Sequence, residues 1–255
     1  MPPKFKTIAI DSASEWARLT FSKTMKKSAK DLEKIREPFD YPGATERIQM
    51  VVRRMKDYKA KGIEVVITAH EQIEKIYAKG GMITPKGQTP QEPIAVAGWP
   101  DLPGKTAPAE VMRALDNVFR MKWMNGKKVW NSNREPLGGG GDYWEVKDRF
   151  NAPAIQAGYL PANYFELAEL ARANAQCNWE PPYLWMLYGV PGIGKTRSLL
   201  TFPRPIIIFD IDRGTASISK EIKAPNSQIT VKSYVSEEQA DYEIFLKDLE
   251  EAANA

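Results

Sequence analysis

Residues 183–200 read YLWMLYGVPGIGKTRSLL. The run Tyr183 to Tyr188 is apolar and aromatic throughout and too short for a helix, so it predicts a strand buried on both faces. Gly189 to Thr196 (GVPGIGKT) is a glycine-rich turn, and the residues that follow favour a helix through Leu200. Strand, turn and helix in that order belong to an α/β chain. The rest of the sequence repeats the theme. Pro205 to Asp210 (PIIIFD), Thr7 to Asp11 (TIAID) and Ile63 to Thr68 (IEVVIT) are further short β-branched runs. Ile48, Val51, Val52, Met55 and Tyr58 recur at helical spacing between Glu46 and Lys59, and that helix ends near Gly62, just before a strand. A helix joined to a strand by a short link is the signature of a parallel sheet. The expected fold class is therefore α/β, with a mainly parallel central sheet flanked by helices.

Other segments are read more coarsely. Ser12 to Glu37 is Lys-rich, with Lys23, Lys26, Lys27 and Lys30 close together, and predicts a solvated helix and loop broken at Tyr41, Pro42 and Gly43. Glu71 to Pro100 is rich in Gly, Pro, Lys and Thr and predicts a long functional loop. Helices are expected over Pro108 to Leu115 and Pro161 to Ala173, and strands near Val118 to Trp123, Lys128 to Asn131, Tyr143 to Lys147 and Gln228 to Lys232. Gly138 to Gly141 marks a turn, and Ser236 with Gln239 forms a capping box for a terminal helix. Trp16, Trp123 and Trp130 are read as packing residues.

Composition narrows the class. The 255 residues are 43% hydrophobic and 27% charged, with a net charge of +4, which suits a packed domain and excludes disordered and fibrous chains. The charge is uneven: residues 1–80 carry 17 basic and 11 acidic side chains, whereas residues 200–255 carry 6 and 10. A basic excess of that size supports nucleic-acid binding without establishing it. Cys177 is the only cysteine, so no internal disulfide forms, and MPPKFKTIAIDS lacks a signal peptide's apolar core and cleavage site. No apolar run approaches the roughly 20 residues of a membrane helix. A soluble, cytoplasmic protein with no membrane partner is expected.

GVPGIGKT matches GxxxxGK[ST] between a strand and a helix, the context a phosphate-binding loop requires. Its glycines let backbone N–H groups converge on phosphate oxygens, with the helix start adding its dipole. ATP is the expected ligand, cradled by Gly189, Val190, Pro191, Gly192, Ile193, Gly194, Lys195, Thr196 and Arg197. Lys195 would reach the β and γ phosphates, and the Thr196 hydroxyl would ligate Mg²⁺. Hydrolysis also needs an acid for the metal. Asp11 ends a strand, so its carboxylate emerges where parallel sheets bind ligands; the same position suits an Asp capping the next helix. Asp210 and Asp212 follow PIIIF in the same way, or serve a turn with Arg213 and Gly214. His70, the only histidine, lies just after IEVVIT, as a phosphate contact or a neutral packing residue.

In combination, GVPGIGKT, PIIIFDID, TIAIDS, VVITAH and WEVKDRFNAP resemble the segments of RecA-like ATPases, most closely the short phage recombination ATPases of the Sak type. That family runs from P-loop through acidic strand, Walker-B strand and sensor strand to a basic interface segment. Here the last three come first, so the sequence resembles a circular permutation. The likeness spans Lys6 to Arg149 and Tyr183 to Asn254. It implies a single domain over residues 1–255, in which 151–182 joins the old termini and 183–255 holds the P-loop and second acidic strand. By resemblance Asp11 is the Walker-B acid, followed by Ser12 as in RecA-like proteins, and Asp212 orients the attacking water, one methylene shorter than the usual Glu. His70 falls at the polar sensor. Lys147 and Arg149 fall at the basic pair that reads the γ phosphate of a neighbouring subunit, which implies a homo-oligomer. Lys75, Tyr77, Lys79 and Lys86 fall in a loop that contacts single-stranded DNA. The implied activity is Mg²⁺-dependent ATP hydrolysis in phage-type recombination or annealing, within a bacterial host's cytoplasm. A nucleotide-gated binding or loader module with little turnover, and a small-molecule kinase, are the alternatives.

Overall fold

The computed structural model describes residues 4–24, 41–76, 95–102, 107–138, 142–234 and 242–255. The chain begins with β1 (Thr7–Asp11), α1 (Ala13–Thr24), α2 (Tyr41–Ala60), β2 (Glu64–Ile76) and β3 (Ala95–Pro100). Then come α3 (Ala107–Ala114), the hairpin β4 (Asn117–Met124) and β5 (Lys127–Asn131), and the short strands β6 (Pro136–Gly138), β7 (Asp142–Trp144) and β8 (Tyr159–Pro161). Next are α4 (Tyr164–Ala173), β9 (Leu184–Gly189), α5 (Lys195–Leu199), β10 (Ile206–Asp210), α6 (Ser219–Ile222), β11 (Ile229–Ser233) and α7 (Tyr242–Asn254).

The fold is α/β with a mostly parallel mixed sheet. Its order is β11-β10-β1-β2-β9-β4-β5-β8. The six strands from β11 to β4 run parallel, and β5 and β8 add antiparallel edges. Every residue of β1, β9 and β10 is buried, as expected of strands covered on both faces. Alternate side chains divide between two cores. Ile8, Ile10, Val65, Ile67, Leu184, Met186, Ile207 and Phe209 pack on the face covered by α1, α2, α3 and α7. Ala9, Val66, Trp185, Leu187, Ile206 and Ile208 face the opposite core, where Trp185 lies among Phe119, Phe150, Tyr164, Trp179 and Phe202.

Several expectations change. The segment from Glu71 begins as strand: β2 continues to Ile76 and pairs antiparallel with β3, from Glu71↔Pro100 to Ile76↔Ala95. Gln72 to Ile76 (QIEKI) has neither an unbroken apolar run nor a strict two-residue alternation, so nothing local marks it as strand; its pairing with β3 does. Residues 77–94 lie outside the described residues, and with them Tyr77, Lys79 and Lys86; so do Lys26, Lys27, Lys30, Ser236 and Gln239. The helix α2 starts at Tyr41, because Pro42 fits a first helical turn. The segment 151–182 contributes β8 to the sheet, and α4 starts only at Tyr164, where the Asn163 carboxamide accepts from the N–H groups of Phe165 and Glu166 at 3.0 and 3.3 Å. Trp16 and Trp130 are buried, but Trp123 is 59% exposed. Among the described residues no helix is long and apolar enough to cross a membrane.

Candidate nucleotide and metal site

The parallel strands end together at one sheet edge, and the ends of β10, β1, β2 and β9 carry the chemistry. Asp11 and Asp210 are partners across β1 and β10, and His70 is partner to Gly189 across β2 and β9. The loop Gly189–Thr196 joins β9 to α5. Ile193 is 2% exposed and anchors the loop in the second core, while Val190, Pro191 and Gly192 form its exposed tip. Gly194 has φ +100°, a left-handed conformation that side chains disfavour, and a Cβ there would stand 2.6 Å from the Lys128 ammonium.

Lys195 is 7% exposed, and its ammonium donates to the carbonyls of Gly189 and Val190 at 2.9 and 3.1 Å. Burial pushes its pKa down, opposed by the charges of Asp11, Asp212 and Glu71. The Thr196 hydroxyl donates to Asp11 Oδ2 at 2.6 Å, and the Thr68 hydroxyl donates to Asp11 Oδ1. Asp11 and Thr196 therefore converge although β2 lies between their strands. Burial raises the Asp11 pKa to about 6 against these two donors, with Asp212 and Asp210 adding repulsion.

Asp11, Asp210 and Asp212 each bring a carboxylate oxygen within 4.8 Å of the others. Asp210 Oδ2 accepts from the Thr215 hydroxyl, while its Oδ1 is buried without a partner among the described residues. Asp212 Oδ1 accepts from the Gly214 N–H at 3.0 Å, and His70 Nε2 stands 3.8 Å from Asp212 Oδ2. An all-oxygen donor set with one orphaned buried oxygen fits a hard divalent cation such as Mg²⁺. Asp11, Thr196 and Asp210 are the residues able to hold it.

The remaining expected site residues sit elsewhere. Lys147 donates to the carbonyls of Met112 and Arg113 at 3.1 and 2.7 Å and to that of Leu115, so its ammonium caps the C-terminus of α3 within its own chain. Arg149 is exposed. Arg197, expected among the phosphate contacts, pairs with Glu221 at 3.0 Å. Lys75 lies on the extended part of β2.

Three contributors were missed in the sequence. Thr68 sits across from Asp11 through the β1–β2 register, which only the strand pairing reveals. Gly214 follows the acids at close range: a Cβ there would fall 2.6 Å from Asp11 Oδ2 and 2.9 Å from both Asp212 Oδ1 and Thr196 Oγ1. A glycine directly after DIDR was the available signal. Lys128 reaches the loop from an edge hairpin and left no signal in the sequence. Comparison of the chain with protein-family models, with curated proteins and with solved structures finds no match.

Proposed function

We propose that the chain is a Mg²⁺-dependent ATP hydrolase with a RecA-like core in circularly permuted order. The observation that carries this reading is the 2.6 Å hydrogen bond from Thr196, at the end of a GxxxxGKT loop, to the buried Asp11 two strands away. The intervening strand β2 carries the polar His70 at the last pair of its parallel register with β9, which is the arrangement the RecA-like resemblance implies. The permuted order is carried by the resemblance, and the sheet order β10-β1-β2-β9 puts the strands that bear Asp11 and His70 beside the phosphate-loop strand although they precede it in the chain.

The chemistry then follows from the chain's residues. Backbone N–H groups of the loop bind the phosphates, and Lys195 turns from the Gly189 and Val190 carbonyls to the β and γ oxygens. Asp11, Thr196 and Asp210 would hold Mg²⁺, which would supply charge neutralisation on the phosphate oxygens. Asp212 accepts a hydrogen bond from the attacking water and His70, beside it, donates to the γ phosphate. The water oxygen bonds to the γ phosphorus as the bond to the β-γ bridging oxygen breaks, releasing ADP and phosphate.

Assembly on single-stranded DNA is carried by the resemblance, with Lys147 and Arg149 as the basic pair that would serve a neighbour. A second reading, a nucleotide-gated binding module with little turnover, is favoured by the internal capping role of Lys147 and by the short Asp212 side chain. ATP hydrolysis at low salt, measured across protein concentrations with and without single-stranded oligonucleotide, separates the two. DNA stimulation rising faster than linearly with protein supports the assembled ATPase. ATP binding with negligible, unstimulated turnover supports the module. Full activity in a natively stable Lys195→Ala variant would refute both.

A further inference from the structure

The acids flank the loop on the β1 and β10 side. On the other flank stands Lys128, on β5, which the catalytic reading does not use. Its ammonium approaches Gly194 so closely that a Cβ there would lie 2.6 Å away. It has no carboxylate partner among the described residues; its one close contact is the ring of Trp123, at 5.3 Å. Of the other hairpin cations, Lys122 pairs with Glu135 and Arg120 with Glu71 at 3.0 Å, while Lys127 is exposed at the cavity's rim. Lys128 also lines a cavity of about 460 Å³ that opens beside the loop between β5, β8, α4 and α5, with Tyr159, Asn163, Arg197 and Thr201 on its wall. An ammonium without a carboxylate partner, set beside the backbone of a phosphate-binding loop, is placed to meet an anion there.

We propose that Lys128 is a nucleotide-binding residue supplied in cis: it contacts the phosphates nearest the nucleoside, and the cavity beyond it receives the nucleoside. The assignment rests on the phosphate-loop reading and adds to it a residue outside the motif. Because the proximal phosphates are shared by ATP and ADP, Lys128 serves both ligands equally, whereas a contact to the γ phosphate would favour ATP.

The test is calorimetric titration of the full chain with Mg-ATP and Mg-ADP, using wild type, Lys128→Met, Lys128→Arg and Lys195→Ala, with thermal unfolding confirming that each variant is folded. Loss of one charge-assisted contact is expected to weaken both nucleotides about tenfold or more in Lys128→Met, to equal extents, with Lys128→Arg recovering most of the loss. Binding of both nucleotides within twofold of wild type in Lys128→Met, while Lys195→Ala loses them, would overturn the proposal and leave the phosphate-loop reading standing. A loss confined to ATP would also overturn it. Wild type that binds neither nucleotide would overturn the phosphate-loop reading, and the Lys128 assignment with it.

Discussion

Replacing Asp11 by Asn tests the electrostatics of the site without any ligand. In the folded chain Asp11 keeps its proton up to about pH 6, whereas its ordinary value is 3.8. Between those limits the native state binds more protons than the unfolded state, so this group's stabilising contribution is full below pH 3.8 and lost as pH rises through 6. That displacement is worth about 3 kcal/mol at a side chain this deeply buried. Asn is nearly the same shape, cannot ionise, and still meets the Thr196 and Thr68 hydroxyls, which can donate or accept. Urea unfolding in the presence of a chelator, at steps from pH 4 to pH 7.5, gives the difference between the two proteins. Asp11→Asn is expected to gain about 3 kcal/mol on wild type across that window. The shifts of Glu64 and Asp148, which do not face Asp11, are common to both proteins and cancel. Adding millimolar Mg²⁺ at pH 7.5 should restore stability to wild type only. A difference flat to within about 1 kcal/mol over the window would refute the assigned burial cost.

Further outcomes follow from individual contacts. Gly214→Ala places a methyl 2.6 Å from Asp11 Oδ2, so metal-dependent nucleotide binding should fall at least tenfold while the fold, read by circular dichroism, persists. Lys147→Met removes the cap from α3 and should cost about 1–2 kcal/mol in urea unfolding with nucleotide affinity unchanged; a large loss of affinity would show that Lys147 belongs to the site after all. Glu64→Leu strands the Tyr164 hydroxyl, the Tyr183 N–H and the Trp185 indole N–H, now 2.6, 2.8 and 2.8 Å from its carboxylate. It should cost about 3 kcal/mol or more, and Glu64→Gln clearly less.

The parallel centre of the fold was legible because strands buried on both faces are written as unbroken apolar runs: TIAID, IEVVIT, YLWMLY and PIIIFD each became a central strand. What escaped has no unbroken apolar run. The extension of β2 through Gln72 to Ile76 mixes charge with apolar residues, and β8 is three residues long, paired only through tertiary contact with β5. In the site, the loop glycines, Lys195, Thr196 and the two strand-end acids were readable because local spacing carries their chemistry. Thr68 and Lys128 were not, since their positions depend on strand register and on a hairpin folding back toward Gly194. For Lys147 the sequence offered only the basic pair in KDR; that its ammonium reaches the end of α3 depends on where the backbone carries it.

The most direct test is equilibrium binding of ATP to the wild-type chain and to Thr196→Val, each with Mg²⁺ and with chelator. One nucleotide per chain, bound at least tenfold more tightly with Mg²⁺ in wild type and without that Mg²⁺ dependence in Thr196→Val, is the result expected from a metal held between Thr196 and Asp11. ATP that fails to bind, or an Mg²⁺ dependence that survives in Thr196→Val, would contradict it.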